Sequence, residues 1–402
     1  MNKKVMAIAV AGVFAVPAVA LAQKSTVEIY GRANLGFDSY QAKGSTVVAN
    51  DRDQRFRVFD GSSRVGFRGT EDLGSGMRAI FQIETGVSVD SGNNSAQGGQ
   101  NNSSAGFWAS RDSFVGLDSN WGRLTFGRQS IYWANGVNAQ FAANYINTEI
   151  PWTNGTNLGR ISTAAAGSAP ARVSNTVQYT SPTFSGVNGT LSYSVNPQEA
   201  VQNVGLSVEP DGTIWGLTLR GTWGPFYVQG DFAEVSSNTS LVGAGSVQGK
   251  GKAYKLGGSW GYMPGARVGI IWVRTDVDNK LAAVPGISVN DDVDQDGYTI
   301  NWEHTFGNFQ AMAQYGWLDD MKGCNAVTGA AQCENTKATG FMIGGRYFMS
   351  KRTWLYVSYN QVDNKANQFS DFTGGGITST SGAPTPLGAD PKIWALGIFH
   401  AF

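Results

Sequence analysis

The chain is poor in the side chains that most enzymes use. Its 402 residues include two histidines and two cysteines. Neither His304 nor His400 has a serine or acid close by in sequence that would mark a triad, which leaves nucleophilic catalysis without a visible centre. Charged residues make up only 15%, with 30 basic side chains against 30 acidic ones. No basic stripe emerges from that balance, so nucleic acid is not an expected partner. The glycine clusters Gly243-Ala244-Gly245 and Gly374-Gly375-Gly376 precede no helix pattern and therefore cradle no phosphate. No cofactor is implied. Past residue 22 no apolar run is long enough to cross a bilayer as a helix.

The one sustained apolar run lies at the start. Lys3 and Lys4 lead into Val5 to Val16, a stretch of roughly a dozen residues, too short to span. Ala20-Leu21-Ala22 then offers small residues at a cleavage site. Residues 1–22 read as a signal peptide and 23–402 as the exported domain.

What the domain does contain is glycine, 53 residues, and aromatics, 12%, both suited to twisted strands with aromatic belts. The apolar residues alternate. Along Tyr298-Thr299-Ile300-Asn301-Trp302-Glu303, tyrosine, isoleucine and tryptophan share one face, and threonine, asparagine and glutamate share the other. A period of two is a strand with unlike faces. Sixteen such strands can be read, among them 25–39, 56–69, 106–118 and 297–306. Short turns, such as Glu71–Gly74 and Gly307-Asn308, alternate with long polar stretches, including 40–55, 91–105, 130–171, 236–251, 277–296 and 364–390. One face carries arginine and glutamate, so the interior holds water rather than a packed core. The pattern predicts an all-β fold: a 16-stranded antiparallel transmembrane β-barrel with short periplasmic turns and long extracellular loops, wide enough for an aqueous channel.

Several segments resemble the general diffusion porins of Gram-negative outer membranes. They are Val27–Arg32, Ser63–Gly74, Phe114-Val115-Gly116-Leu117, Phe126-Gly127-Arg128, Arg172–Thr176 and the terminal Ile398–Phe402. The resemblance spans the mature chain. It implies a homotrimer in the cell outer membrane, surrounded by membrane lipids and lipopolysaccharide. It also implies a third loop, here 130–171, folded into the barrel, and a terminal aromatic, Phe402, read by the barrel-assembly machinery. The family's column of wall arginines maps onto Arg64, Arg111 and Arg172, with Arg32 at a further basic position. Strand parity places Arg32, Arg64 and Arg172 on the polar face. Parity leaves Arg111 open, because either assignment puts a charge on the outer face. Within the loop stand one acid, Glu149, and one base, Arg160. Arg68, Arg78 and Arg220 add to the luminal field, offset by Glu84 and Glu28. A passage with a surplus of one sign selects ions, so the expectation is a passive channel for small hydrophilic solutes with an anion preference. A substrate-selective channel for anionic nutrients, a surface adhesin barrel and an outer-membrane lipid hydrolase are the alternatives.

Two further signals remain. Cys324 and Cys333 sit nine positions apart in a compartment where a disulfide is the expected state. Asp292, Asp294 and Asp296, followed by Gly297 and Glu303, match a calcium-loop spacing. An extended strand would carry Glu303 roughly 20 Å from Gly297, so a solvated acidic loop is the favoured reading there.

Overall fold

The structure, a computed structural model, describes residues 25–90, 108–131, 140–141, 150–154, 172–195, 211–241, 245–280, 292–324, 333–372 and 385–402. The signal-peptide reading lies outside these residues. Seventeen strands run in chain order: β1 (Thr26–Lys43), β2 (Arg52–Asp60), β3 (Arg64–Gly74), β4 (Met77–Gly86), β5 (Ser113–Ser119), β6 (Gly122–Ser130), β7 (Arg172–Thr180), β8 (Val187–Val195), β9 (Asp211–Trp223), β10 (Phe226–Leu241), β11 (Gly245–Met263), β12 (Ala266–Lys280), β13 (Asp292–Phe306), β14 (Phe309–Leu318), β15 (Ala338–Phe348), β16 (Thr353–Asn364) and β17 (Asp390–Ala401).

They make sixteen staves, as the alternation predicts. β1 pairs with β3 along Thr26–Arg32 and with β2 along Leu35–Ala42, so β2 and β3 are one stave broken at residues 61–63. The break is held by side chains that replace the missing ladder. Ser63 Oγ accepts from the Asn34 amide at 2.9 Å, and the Asn34 side chain donates to the Gly61 carbonyl at 2.9 Å. All pairings are antiparallel, and β17 returns to β1 from Lys43↔Asp390 to Arg32↔Ala401. Closure leaves no bare edge, which a bilayer demands because it offers no hydrogen bonds of its own.

The two faces invert the burial of a water-soluble protein. Val27 and Ile29 are 69% and 63% exposed, whereas Asn34 and Asp38 on the alternate positions are each 1% exposed. Outward apolar side chains meet lipid, and inward polar ones meet one another and the loop folded inside. Trp223, Phe226, Trp260, Phe306, Phe309 and Tyr347 stand about half exposed beside the short turns, the level where amphipathic rings are favoured. Tyr227, Phe348 and Trp354, close to the same turns, instead take the inward parity of Gln229, Arg346 and Tyr356, and Trp354 stacks on Phe399.

Boundaries differ where water replaces lipid. β10 and β11 continue into 236–251, and β12 and β13 into 277–296, stretches whose sequence reads as loops. Above the membrane both faces are wet, so the alternation of apolar residues fades while the backbone ladder persists. The first short turn is residues 75–76, not Glu71–Gly74; Gly74, Ser75 and Gly76 all have positive φ, and the acids before them still belong to β3.

The seam fixes one close approach. Gly31 and Phe402 exchange two backbone hydrogen bonds of 3.1 Å. A Cβ on Gly31 would stand 2.5 Å from both the Phe402 ring and the Arg64 carbonyl. Gly31→Val is expected to cut the yield of folded, heat-modifiable barrel on an unheated gel, whereas Gly230→Ala, which meets only Leu256 at 3.8 Å, is expected to fold like the parent. Equal yields would remove the seam from the argument.

Candidate pore constriction

The third long loop leaves β6 and enters the barrel. Its first residue, Ile131, is buried with Val173 and Ile214 on the inner wall. Phe141 packs against Ile271 and Val273 of β12, and the Gln140 carbonyl accepts from Arg267 at 2.8 Å. Ile150 and Trp152 are buried among Tyr40, Leu318, Ala338 and Val362. The loop therefore touches the inner wall at β7 and β9, then β12, then β13 to β15, which is a path across the lumen.

Its far anchor is a socket made of missing side chains. A Cβ on Gly316 would lie 2.7 Å from Trp152 Nε1 and 3.0 Å from Ile150 Cγ2; one on Gly340 would lie 3.1 Å from Ile150 Cδ1. Only glycine on β14 and β15 lets these side chains reach the wall. Two polar contacts fix the register: Ile150 N–H donates to Gln314 Oε1 at 2.9 Å, and Trp152 Nε1–H donates to the Tyr298 carbonyl at 3.0 Å. The docking is apolar, so it tolerates the water of the channel, and its two hydrogen bonds set direction.

The wall where the loop begins is basic. Glu84 of β4 gathers three partners: Arg111 at 2.5 Å, Arg64 at 3.6 Å and the Tyr30 hydroxyl at 3.1 Å. Asp112 takes Arg172 at 2.8 Å while accepting from both the amide and hydroxyl of Ser130 at 2.6 Å. Arg128 donates to Ser174 at 2.9 Å and to the Ser110 carbonyl at 3.1 Å, and Arg32 to the Ser62 carbonyl at 2.9 Å. One tier higher, Arg57 forks onto Asp38 at 3.0–3.1 Å, Arg52 lies 3.8 Å from Asp371, and Arg55 lies over the Tyr40 ring at 5.0 Å. Among the described residues, the eight arginines named here stand near five carboxylates: Asp38, Asp60, Glu84, Asp112 and Asp371. The forks hold the guanidinium planes in fixed orientations, and the excess of arginine leaves the wall positive.

The structure thus brings Arg32, Arg64, Arg111 and Arg172 to one part of the wall, where Glu84 offsets Arg64 and Arg111 directly. The Arg111 parity question dissolves. The strand begins at Ser113, and residues 108–112 form a bend before it, so Arg111 follows no strand alternation and is 8% exposed. Glu149 and Arg160 lie outside the described residues. Arg68 pairs with Glu28 at 2.9 Å near the short-turn rim, Arg78 pairs with Asp118, and Arg220 donates to Thr190 at 3.5 Å. Sequence reading missed Arg52, Arg55, Arg57, Arg128 and Asp112. Arg55 and Arg57 alternate with Phe56 and Val58, a period-two signal that carries the strand four residues further back than its reading from position 56. Arg128 stands in a quoted segment, one step beyond the glycine whose φ of 152° precedes a register shift.

The acidic residues on β13 do not form a loop. Asp292, Asp294 and Asp296 lie within a continuous strand on its outward face, and Arg274 binds Asp294 and Asp296 at 3.1 Å each. Glu303 has the opposite parity and pairs with Arg267 at 3.0 Å. The calcium-loop spacing is therefore laid out straight, its acids divided between faces. Cys324 and Cys333 are joined by a disulfide, with Cα atoms 5.8 Å apart. His304 stacks on Phe306, and His400 meets Thr353 at 2.9 Å.

A family model described as Gram-negative porin matches residues 7–367. The chain belongs to this family. An outer membrane porin protein of Bordetella pertussis is 28% identical over 393 residues, covering 91% of this chain and 95% of that protein. A major outer membrane protein P.IB of Neisseria lactamica is 26% identical over 366 residues, covering 89% and 92%. Among solved structures, an anion-selective porin from Comamonas acidovorans superposes with a TM-score of 0.70 at 22% identity, over 94% of this chain and 100% of that one. OmpT of Vibrio cholerae in its trimer form gives 0.61 at 15% identity, over 94% and 99%. This porin is accordingly an outer-membrane β-barrel channel.

Trp152→Ala empties the socket and removes an anchor worth about 3–5 kcal/mol on the scale of buried aromatic truncations. Single-channel conductance of this porin is expected to rise and its open level to become noisier. Unchanged conductance would mean that the loop is held elsewhere.

Proposed function

We propose that the channel passes small hydrophilic solutes by diffusion and prefers anions. The observation that carries this reading is the imbalance on the constriction wall, where arginines outnumber carboxylates, facing a loop whose sequence from 130 to 171 holds one acid, Glu149, and one base, Arg160. A fixed surplus of one sign in a narrow, low-dielectric passage raises the local concentration of the opposite ion. Arg64, Arg111 and Arg172 supply the field at the loop, Arg128 and Arg32 extend it, and Glu84 and Asp112 hold the guanidiniums in place while cancelling part of their charge. The Comamonas acidovorans neighbour, whose name records anion selectivity, has the same fold. No covalent step belongs to this function.

The same reading includes an exported chain whose signal peptide is residues 1–22, a homotrimer, and contact of the outer face with lipid and lipopolysaccharide. The outward ring of Phe402, at the sealed seam, is the feature for the barrel-assembly machinery to read.

Reversal potentials in a KCl gradient across a planar bilayer test the preference. The wild type is expected to favour chloride. Arg64→Gln and Arg172→Gln are each expected to shift the potential toward potassium, and the double variant further. The field is screened over about 10 Å at 0.1 M salt but about 3 Å at 1 M, so the preference is expected to shrink across that range. A wild-type channel that favours potassium at low salt would overturn the assignment.

A further inference from the structure

The inner wall is not polar all the way round. Across four neighbouring staves on the short-turn side of the loop, the strand register aligns inward-facing aromatics with arginines. Phe348 faces Trp354, Trp354 faces Phe399, and Phe399 lies beside Arg32 on β1. Trp354 and Phe399 are stacked, with centroids 3.7 Å apart and planes 10° from parallel. Arg346 covers the Trp354 ring at 5.1 Å and the Phe348 ring at 4.8 Å, and Arg32 covers Phe399 at 5.6 Å. The result is a layered shelf with a guanidinium against each end of an aromatic pair. Trp354 rests on a buried apolar bed that includes Tyr356, Phe59 and Met342. Arg346, Phe348, Trp354 and Arg32 keep part of their surface open.

We propose that this shelf, which adjoins the loop constriction and shares Arg32 with it, is a binding station for planar organic anions, aromatic carboxylates in particular. Arg346 also donates from Nε to Gln310 Oε1 at 2.7 Å, which fixes the plane of its guanidinium, and a guanidinium laid on one ring can offer its other face to a second. That face can stack on another flat π-system, while the N–H groups around its edge can meet a carboxylate. The bed beneath keeps the aromatics from turning, so the stack is preorganised. A chloride ion gains only the charge. A non-planar carboxylate gains the charge and the N–H groups. An aromatic carboxylate gains the stacking as well, an advantage of roughly two- to five-fold per exposed cation–π contact.

Block of the KCl current measures it. The full-length protein in a planar bilayer is titrated from both sides with benzoate and, separately, with cyclohexanecarboxylate, which has the same charge and similar bulk but no flat ring. Benzoate is expected to reach half-block at a concentration roughly two- to five-fold lower. Arg346→Gln and Trp354→Leu are each expected to abolish that difference. Phe348→Leu, at the open edge of the shelf, serves where the tryptophan variant fails to assemble. Equal half-block by the two acids in the wild type overturns the proposal, as does a difference that survives in Arg346→Gln and in the aromatic variant. The KCl reversal potential in the same membranes reads the constriction independently, so failure of one reading is distinguishable from failure of the other.

Discussion

Every backbone amide and carbonyl that crosses a bilayer must find its partner within the protein. The closure of β17 on β1 satisfies that requirement for the last open edge, and the other features are its consequences. A closed sheet has an inside, and alternate residues must point into it. The sheet therefore sorts its own side chains, with Val27 and Ile29 to lipid and Asn34 and Asp38 to the lumen. Gly31 and the terminal Phe402 stand at the point where this sorting is sealed, and the space between them has no room for another methyl group.

The interior then meets a second requirement, to narrow a cylinder without plugging it. Two kinds of contact divide this work. On one side the loop is pinned by apolar side chains seated over glycines, a fit that water in the channel does not compete with. On the other side arginines are held out by carboxylates and hydroxyls, an arrangement that depends on charge and leaves a surplus. The passage lies between a contact insensitive to salt and a field that salt screens.

The barrel was legible in the sequence because lipid imposes a strict period of two and because turns and loops alternate in length. Its sixteen staves and its facing rule could be read in that way, whereas the arginine column was read from likeness to the porin family. What escaped depends on departures from the rule. Arg111 sits where the chain has left the strand, so parity could not place it. β10 to β13 run on above the membrane without an apolar face to announce them. Asp294 and Asp296 looked like a loop because acids seldom fill a strand, yet Arg274 across the ladder holds both. The shelf of Trp354 and Phe399 was hidden because an inward aromatic and an outward one look alike until the register is known.

The strands are unequal in height. β10 to β13 contain 16, 19, 15 and 15 residues, whereas β5 to β8 contain 7, 9, 9 and 9. At about 3.3 Å per residue, reduced by strand tilt, one flank rises roughly 20 Å above the other. Among the described residues, the hydrogen-bonded sheet of β10 to β13 thus outlasts the bilayer by several residues, so a body too large for the channel would meet rigid backbone on that flank.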